Sequence, residues 1–219
     1  MKIAITGEKG FLGYHLTQYY KWIKGFEVIE LGREYLKNIN LLHGCDLLIH
    51  CAGVNRGENV YEGNISLAHE LIQALKDNKI KIDIKFTSSV QEDNDNEYGN
   101  SKFESKILLQ NYCNLNKTKF ESYKIPNLFG PFGQPNYNSF INTFCYNIVN
   151  NKECQYNDNM VTLCYVYDAI KTIDNQTEFN ITRKTVKEIY KLLYNFHTDY
   201  SQGIIPNLTD TFEKNLFNT

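Results

Sequence analysis

Long apolar runs are missing from this sequence, and nothing in it approaches the ~18 consecutive apolar residues a membrane-crossing helix needs. The opening MKIAITGEKG holds one strand-length apolar run, broken by glycine too early for a signal peptide. Neither sign of charge is in excess. Lys and Arg total 23 against 25 Asp and Glu, a formal net charge of −2, which leaves no electrostatic footprint for nucleic acid or an anionic membrane. The six cysteines (Cys45, Cys51, Cys113, Cys145, Cys154, Cys164) form no C-x-x-C pair and have no His-rich neighbour, so neither a zinc site nor a disulfide framework is expected. Internal repeats and long linkers are absent as well. What remains is a soluble cytoplasmic protein with reduced thiols, whose 219 residues, 42% hydrophobic, suffice for a well-buried core.

Short apolar runs alternate with helical patterns along the chain. KIAITG, FEVIEL, DLLIHCAG and KIDIKFTSS read as strands, and FLGYHLTQYYKWIK and NISLAHELIQALKDN as amphipathic helices. This order predicts an α/β fold, a Rossmann-type doubly wound parallel sheet with both faces covered. A polar loop, VQEDNDNE, then leads into the helix YGNSKFESKILLQNYCNLN, and KFESYKIPNLFGPFG reads as a fifth strand running into a Pro/Gly-rich loop. Further on come a helix near 139–150, strands near VTLCYVY and EFNIT, and a helix in KTVKEIYKLLYNF. The final IIPNLTDTFEKNLFNT has capping signals but little to pack against. A single domain over 1–219 is expected, about 1–130 forming the dinucleotide-binding core and about 131–219 a small C-terminal substrate lobe and tail.

Thr6-Gly7-Glu8-Lys9-Gly10-Phe11-Leu12-Gly13 joins the first strand to the first helix. Gly7 permits the tight turn, Gly10 the approach of backbone to a pyrophosphate, and Gly13 the close packing of helix on strand. The second strand ends in Gly32-Arg33, a cation where a 2′-phosphate would lie, so NADPH is the expected cofactor. Glu30 is a rival as a ribose acceptor, and Arg33 read blandly is a surface charge. Cys51, Ala52 and Gly53 close the third strand with small residues against which a cofactor can lie. His50, inside the same apolar run, reads as a packed core histidine.

EYGNSK poses the catalytic question. Tyr98 and Lys102 share a helix face at i, i+4, but so do Tyr20/Lys24 and Tyr167/Lys171 in a chain with 16 tyrosines. Context separates them: only Tyr98/Lys102 follows a strand ending in serines, Ser88 and Ser89, at the edge where such sheets bind ligands. Reducing a ketone needs a proton donor. An ammonium at Lys102 is expected to lower the pKa of the Tyr98 phenol from near 10, while Ser89 polarises the carbonyl.

Taken together, TGEKGFLG, CAG, the paired serines and Tyr98-x-x-x-Lys102 resemble the extended short-chain dehydrogenase/reductases. CAGVNRGEN, YGNSK and PNLFGPFGQPNYNSFINTFCYNIVNN resemble more narrowly the reductase half of capsular UDP-N-acetyl-L-fucosamine pathway enzymes. The resemblance implies an NADPH-dependent reductase of the 4-keto group of a UDP-2-acetamido-2,6-dideoxy-hexos-4-ulose. By position it makes Ser89, Tyr98 and Lys102 catalytic, and Gly7, Gly10, Phe11, Leu12, Arg33, Ala52 and Gly53 cofactor contacts. Arg56, Asn127, Tyr137, Asn138 and Ser139 become sugar-nucleotide contacts, with Asn127 as a turn residue and Tyr137 as core packing the bland alternatives. A homodimer is the expectation for such a family.

The resembled enzymes also carry a C-terminal cupin that epimerises carbon 3, whereas this sequence stops at Thr219. A stand-alone reductase is therefore expected, acting beside a separate epimerase or on the unepimerised ketone to give UDP-N-acetyl-L-rhamnosamine, with a piece of a longer protein the alternative. A 4,6-dehydratase would carry Asp-Glu directly after the hydroxyl residue. Here Val90-Gln91 follow Ser89, with Glu92 and Asp93 in a loop expected to be solvated. A 4-epimerase and a non-catalytic dinucleotide sensor are the other rivals.

Overall fold

KIAIT forms β1 (Lys2–Thr6), and Ile3, Ala4 and Ile5 within it are completely buried, as a strand covered on both faces requires. The computed structural model, which describes residues 1–175 and 177–219, sets β1 inside a five-stranded sheet with β2 (Glu27–Leu31), β3 (Leu47–His50), β4 (Asp83–Ser89) and β5 (Phe120–Ile125). The order is β2-β1-β3-β4-β5 and every pairing is parallel. The connections are α1 (Phe11–Gln18), which runs on into a π turn, a 3₁₀ stretch (Tyr35–Leu42), α2 (Val60–Asp77) and α3 (Glu97–Asn116). Strand order reverses between β1 and β3, the switch point outside which open α/β sheets take ligands. The register pairs Thr6 with His50, so the C-terminal ends of both strands reach that edge together.

The chain divides into two compact units, Met1–Ile125 and Pro126–Thr219. In the first, a core built on Leu48, Leu71, Leu75, Ile84, Phe86 and Leu109 joins the sheet to α2 and α3. The second has its own sheet: β6 (Asn127–Phe129) lies parallel to β7 (Met160–Tyr165), which pairs antiparallel with β8 (Ile181–Thr185). α4 (Phe140–Val149), α5 (Val166–Asn175), α6 (Val186–Ser201) and α7 (Thr211–Phe217) complete it. Phe129, Ile141, Phe144, Ile189, Phe196 and Leu216 are among its core residues.

Three expectations are corrected here. The run KFESYKIPNLF is two strands in two sheets, because Pro126 has no N–H to continue the ladder of β5. The apolar run VTLCYVY ends as a strand at Tyr165, and α5 begins at Val166. Its buried Val166, Ala169, Ile170 and Ile173 follow an i, i+3, i+4, i+7 spacing that signals a helix. The C-terminal segment does find packing: Asp210 caps α7, and Phe212 and Leu216 are buried in the second core.

Candidate functional site

The glycine turn is built as its spacing requires. Gly7 has φ +69°, and a Cβ there would lie 2.8 Å from the Ala52 nitrogen, so β1 and the residues after β3 touch through backbone alone. A Cβ on Gly13 would lie 2.1 Å from the Gly7 oxygen, which holds α1 against the turn. Gly10, half in α1, donates its N–H to that oxygen at 2.9 Å. No side chain caps α1 and no acid stands in its first turn, whereas Asn96, Ser139, Thr185 and Asp210 cap α3, α4, α6 and α7. The first-turn amides, beside half-buried Phe11 and Leu12, are free of side-chain caps and suited to an anion. The turn therefore fits a dinucleotide's pyrophosphate.

Beyond β2, Arg33 is exposed, while Glu30 lies 3.7 Å from Lys21. At the end of β3, His50 is a core residue. Its Nδ1 lies 2.7 Å from Thr6 Oγ1, its ring stacks on Phe86, and burial, with help from the Lys102 charge, lowers its pKa to about 3. Burial pushes the Cys51 thiol up to about 12, against a hydrogen bond from Thr87 that lowers it. Both groups are thus uncharged at neutral pH. Gly53 is confined as well: a Cβ there would lie 3.1 Å from Asn64 Oδ1 and 3.7 Å from Lys102 Nζ.

Ser89 and Tyr98 meet through a side-chain hydrogen bond, and Lys102 is buried one turn further along α3. Ser89, buried at the end of β4, caps the following 3₁₀ turn (Val90–Asp93) by accepting from the Gln91 N–H at 3.2 Å, and its side chain hydrogen-bonds the Tyr98 phenol. Asn96 caps α3 through the Gly99 N–H at 2.8 Å, so Tyr98 and Lys102 stand on successive turns. Lys102 is 4% exposed, and its ammonium lies 4.3 Å from the centre of the Phe86 ring. Burial lowers its pKa to about 8 although Cys51 and Glu92 pull the other way.

The electrostatics differ from expectation in one respect. The Tyr98 pKa is raised: burial of the phenol is the larger cause, and the bond to Ser89 only partly offsets it. The ionised neighbour that acts on Lys102 is Glu92, and the ammonium is not among the causes that shift the phenol, contrary to what the spacing suggested. Glu92 is a second correction. It is buried, not solvated, accepting from Ser88 Oγ and lying 2.7 Å from Lys106 Nζ and 3.1 Å from Lys124 Nζ.

Sequence reasoning also missed Asn64. Its amide donates to the Val54 and Val60 carbonyls and to Ser101 Oγ, and its oxygen accepts from the Val54 N–H at 2.9 Å. It thereby ties the segment after β3 to α3, and an asparagine on the buried stripe of an amphipathic helix was the available signal. Arg56 is exposed, in the same segment. Asn127, Tyr137, Asn138 and Ser139 belong to the second unit. There Asn127 bonds the Thr162 carbonyl across β6 and β7, Tyr137 and Asn138 are exposed, and Ser139 caps α4 through the Asn142 N–H. Among the described residues no group of His, Cys, Asp and Glu is arranged to hold a metal ion, and no helix is long and apolar enough to cross a membrane.

A UDP-2-acetamido-2,6-beta-L-arabino-hexul-4-ose reductase of Pseudomonas aeruginosa is 36% identical over 179 residues, which cover 78% of this chain and 48% of that protein. The chain thus spans about half the length of the curated relatives it matches, a dTDP-D-glucose 4,6-dehydratase of Dictyostelium discoideum (26% identical, 79% of this chain, 54% of that one) included. The capsular polysaccharide assembling protein CapF of Staphylococcus aureus superposes with a TM-score of 0.87 at 34% identity, over all of this chain and 64% of its own. A UDP-glucose 4-epimerase of Thermotoga maritima shares the fold, with a TM-score of 0.80 at 17% identity, over all of this chain and 97% of its own. The profile of the NAD dependent epimerase/dehydratase family matches residues 3–180, which take in the glycine turn, the Ser89 strand and the Tyr98–Lys102 helix, and the chain belongs to that family.

Proposed function

We propose that the chain is an NADPH-dependent reductase of the 4-keto group of a UDP-2-acetamido-2,6-dideoxy-hexos-4-ulose. One observation carries the reading: the Ser89 hydroxyl bonded to the Tyr98 phenol at the end of β4, with Lys102 buried one turn further along α3. A reductase must deliver a proton to the ketone oxygen, so a protonated phenol is in the state it needs. The 36% identity to a hexul-4-ose reductase supports the same direction.

A bound nicotinamide cofactor would supply the hydride to carbon 4. Ser89 donates a hydrogen bond to the carbonyl oxygen and so polarises it. Tyr98 gives its proton to that oxygen, completing the hydroxyl, and the phenolate left behind is reprotonated from solvent. Lys102, buried one turn further along α3, would hold a ribose hydroxyl of the cofactor and favour the phenolate once it forms. Gly7, Gly10 and the first turn of α1 would take the pyrophosphate, with Phe11, Leu12, Cys51, Ala52 and Gly53 around it. Arg56, Asn127, Tyr137, Asn138 and Ser139 are proposed for the sugar nucleotide.

Purified protein with the UDP-linked 4-ketose and NADPH is expected to oxidise NADPH at 340 nm, faster than with the dTDP-linked ketose. NMR ring couplings of the product then assign its configuration. No turnover of either ketose despite tight NADPH binding would reject the reductase in favour of a sensor. Arg33→Ala is expected to raise the KM for NADPH about 10-fold and leave that for NADH within about twofold, the loss of one charge-assisted phosphate contact. Equal effects on both cofactors would reduce Arg33 to a surface charge.

A further inference from the structure

Glu92 has no part in the chemistry above, yet its carboxylate is 1% exposed. A buried carboxylate is costly unless its partners are well placed, and here they come from three elements. Ser88 Oγ donates to it from β4, Lys106 lies 2.7 Å away on α3, and Lys124 lies 3.1 Å away on β5. Lys106 is one turn beyond Lys102 on the same face of α3. Glu92 itself rides on the 3₁₀ turn that Ser89 caps. We propose that Glu92 is a positioning residue of this site: its carboxylate ties the Ser88–Ser89 end of β4 to the face of α3 that carries Lys102, and so sets the Ser89 hydroxyl against the Tyr98 phenol.

The charge of Glu92 has a second consequence. The groups around the Lys102 ammonium are His50 on β3, Cys51 just after it, the Phe86 ring on β4 and Glu92, with Tyr98 one turn earlier on α3. Cys51, pushed up by burial to about 12, is a neutral thiol. His50, lowered by burial to about 3, is a neutral imidazole, and Tyr98, raised by burial, is a neutral phenol. Burial alone would raise the Glu92 carboxyl, but bonds from Lys106, Ser88 and Lys124 outweigh it and keep the group ionised. Glu92 is therefore the negative charge that favours a protonated Lys102 at neutral pH.

The kinetic arm of the test rests on the reductase reading; the spectroscopic arm does not. Glu92→Gln keeps the size and an accepting oxygen and removes the charge. Its kcat on the UDP-linked ketose is expected to fall about 10-fold with KM within about twofold, and the alkaline limb of the kcat profile to move to lower pH. In lysines labelled with ¹³C, the Lys102 signal, assigned by its loss in Lys102→Met, is expected to titrate at lower pH in Glu92→Gln. Ser88→Ala removes one donor and keeps the carboxylate, so kcat falls while the Lys102 midpoint stays. Unchanged kcat in both variants overturns the proposal, as does a lower kcat in Glu92→Gln with the alkaline limb and the Lys102 midpoint unmoved. If Glu92→Gln does not fold, the kcat of Ser88→Ala decides. If the wild-type protein turns over no ketose, the reductase reading fails and the Lys102 midpoint alone decides for or against Glu92.

Discussion

Lys102→Met will lower turnover about 10³-fold and at the same time raise the melting temperature. The loss follows from the chemistry: the substituted side chain has no ammonium to stabilise the Tyr98 phenolate and no donor for a ribose hydroxyl. The gain follows from burial. Lys102 is 4% exposed, and its pKa falls to about 8 from 10.5 because the fold disfavours its charged form. A lowered lysine pKa means that the unfolded chain holds the proton more tightly. The penalty is therefore fully present below pH 8, and stability rises with pH between about 8 and 10.5 as the folded protein sheds the proton first. That difference is worth about 3 kcal/mol at neutral pH, an upper figure for what methionine of similar length recovers. Denaturant titrations of both proteins at pH 7 and above pH 10.5 check it, since the gap should close at high pH. A Lys102→Met protein that is less stable at pH 7, or one that keeps wild-type kcat, would contradict the placement of this amine.

Gly99→Ala will destabilise the protein by about 3 kcal/mol and separate Tyr98 from Ser89, although it replaces one small residue with the best helix former inside a helix. A Cβ at Gly99 would lie 2.0 Å from the Gln91 oxygen and 2.9 Å from that of Asn94, both backbone atoms of the turn that follows Ser89. Neither atom belongs to a flexible side chain that can step aside. The first turn of α3 has to move outward, taking Tyr98 with it, and kcat is expected to fall about 100-fold along with the midpoint of urea unfolding. If Gly99→Ala gained stability, as helix propensity alone would have it, the close approach of α3 to this turn would be wrong. Gly13→Ala meets the Gly7 oxygen at 2.1 Å and should destabilise comparably, but its functional signature is weaker cofactor binding.

These two substitutions mark how far the sequence reaches. That a glycine follows Tyr98 is visible in YGNSK. Why it must be glycine depends on a carbonyl eight residues earlier, and no periodicity encodes that approach. Glu92 is a sharper case: among acids and amides in VQEDNDNE it reads as solvated, and only Ser88, Lys106 and Lys124, brought in from three elements, make its burial tolerable.

The sequence by itself determined the βα order, the Gly7-x-x-Gly10-x-x-Gly13 turn and the sharing of a helix face by Tyr98 and Lys102, because each is a relation between residues a few positions apart. Tertiary structure alone decided that Pro126 parts two sheets, that Phe212 and Leu216 have a core to enter, and that the Tyr98 pKa is raised and not lowered. Each of these turns on desolvation or on backbone partners supplied by distant segments, quantities that come into being only when the chain closes on itself.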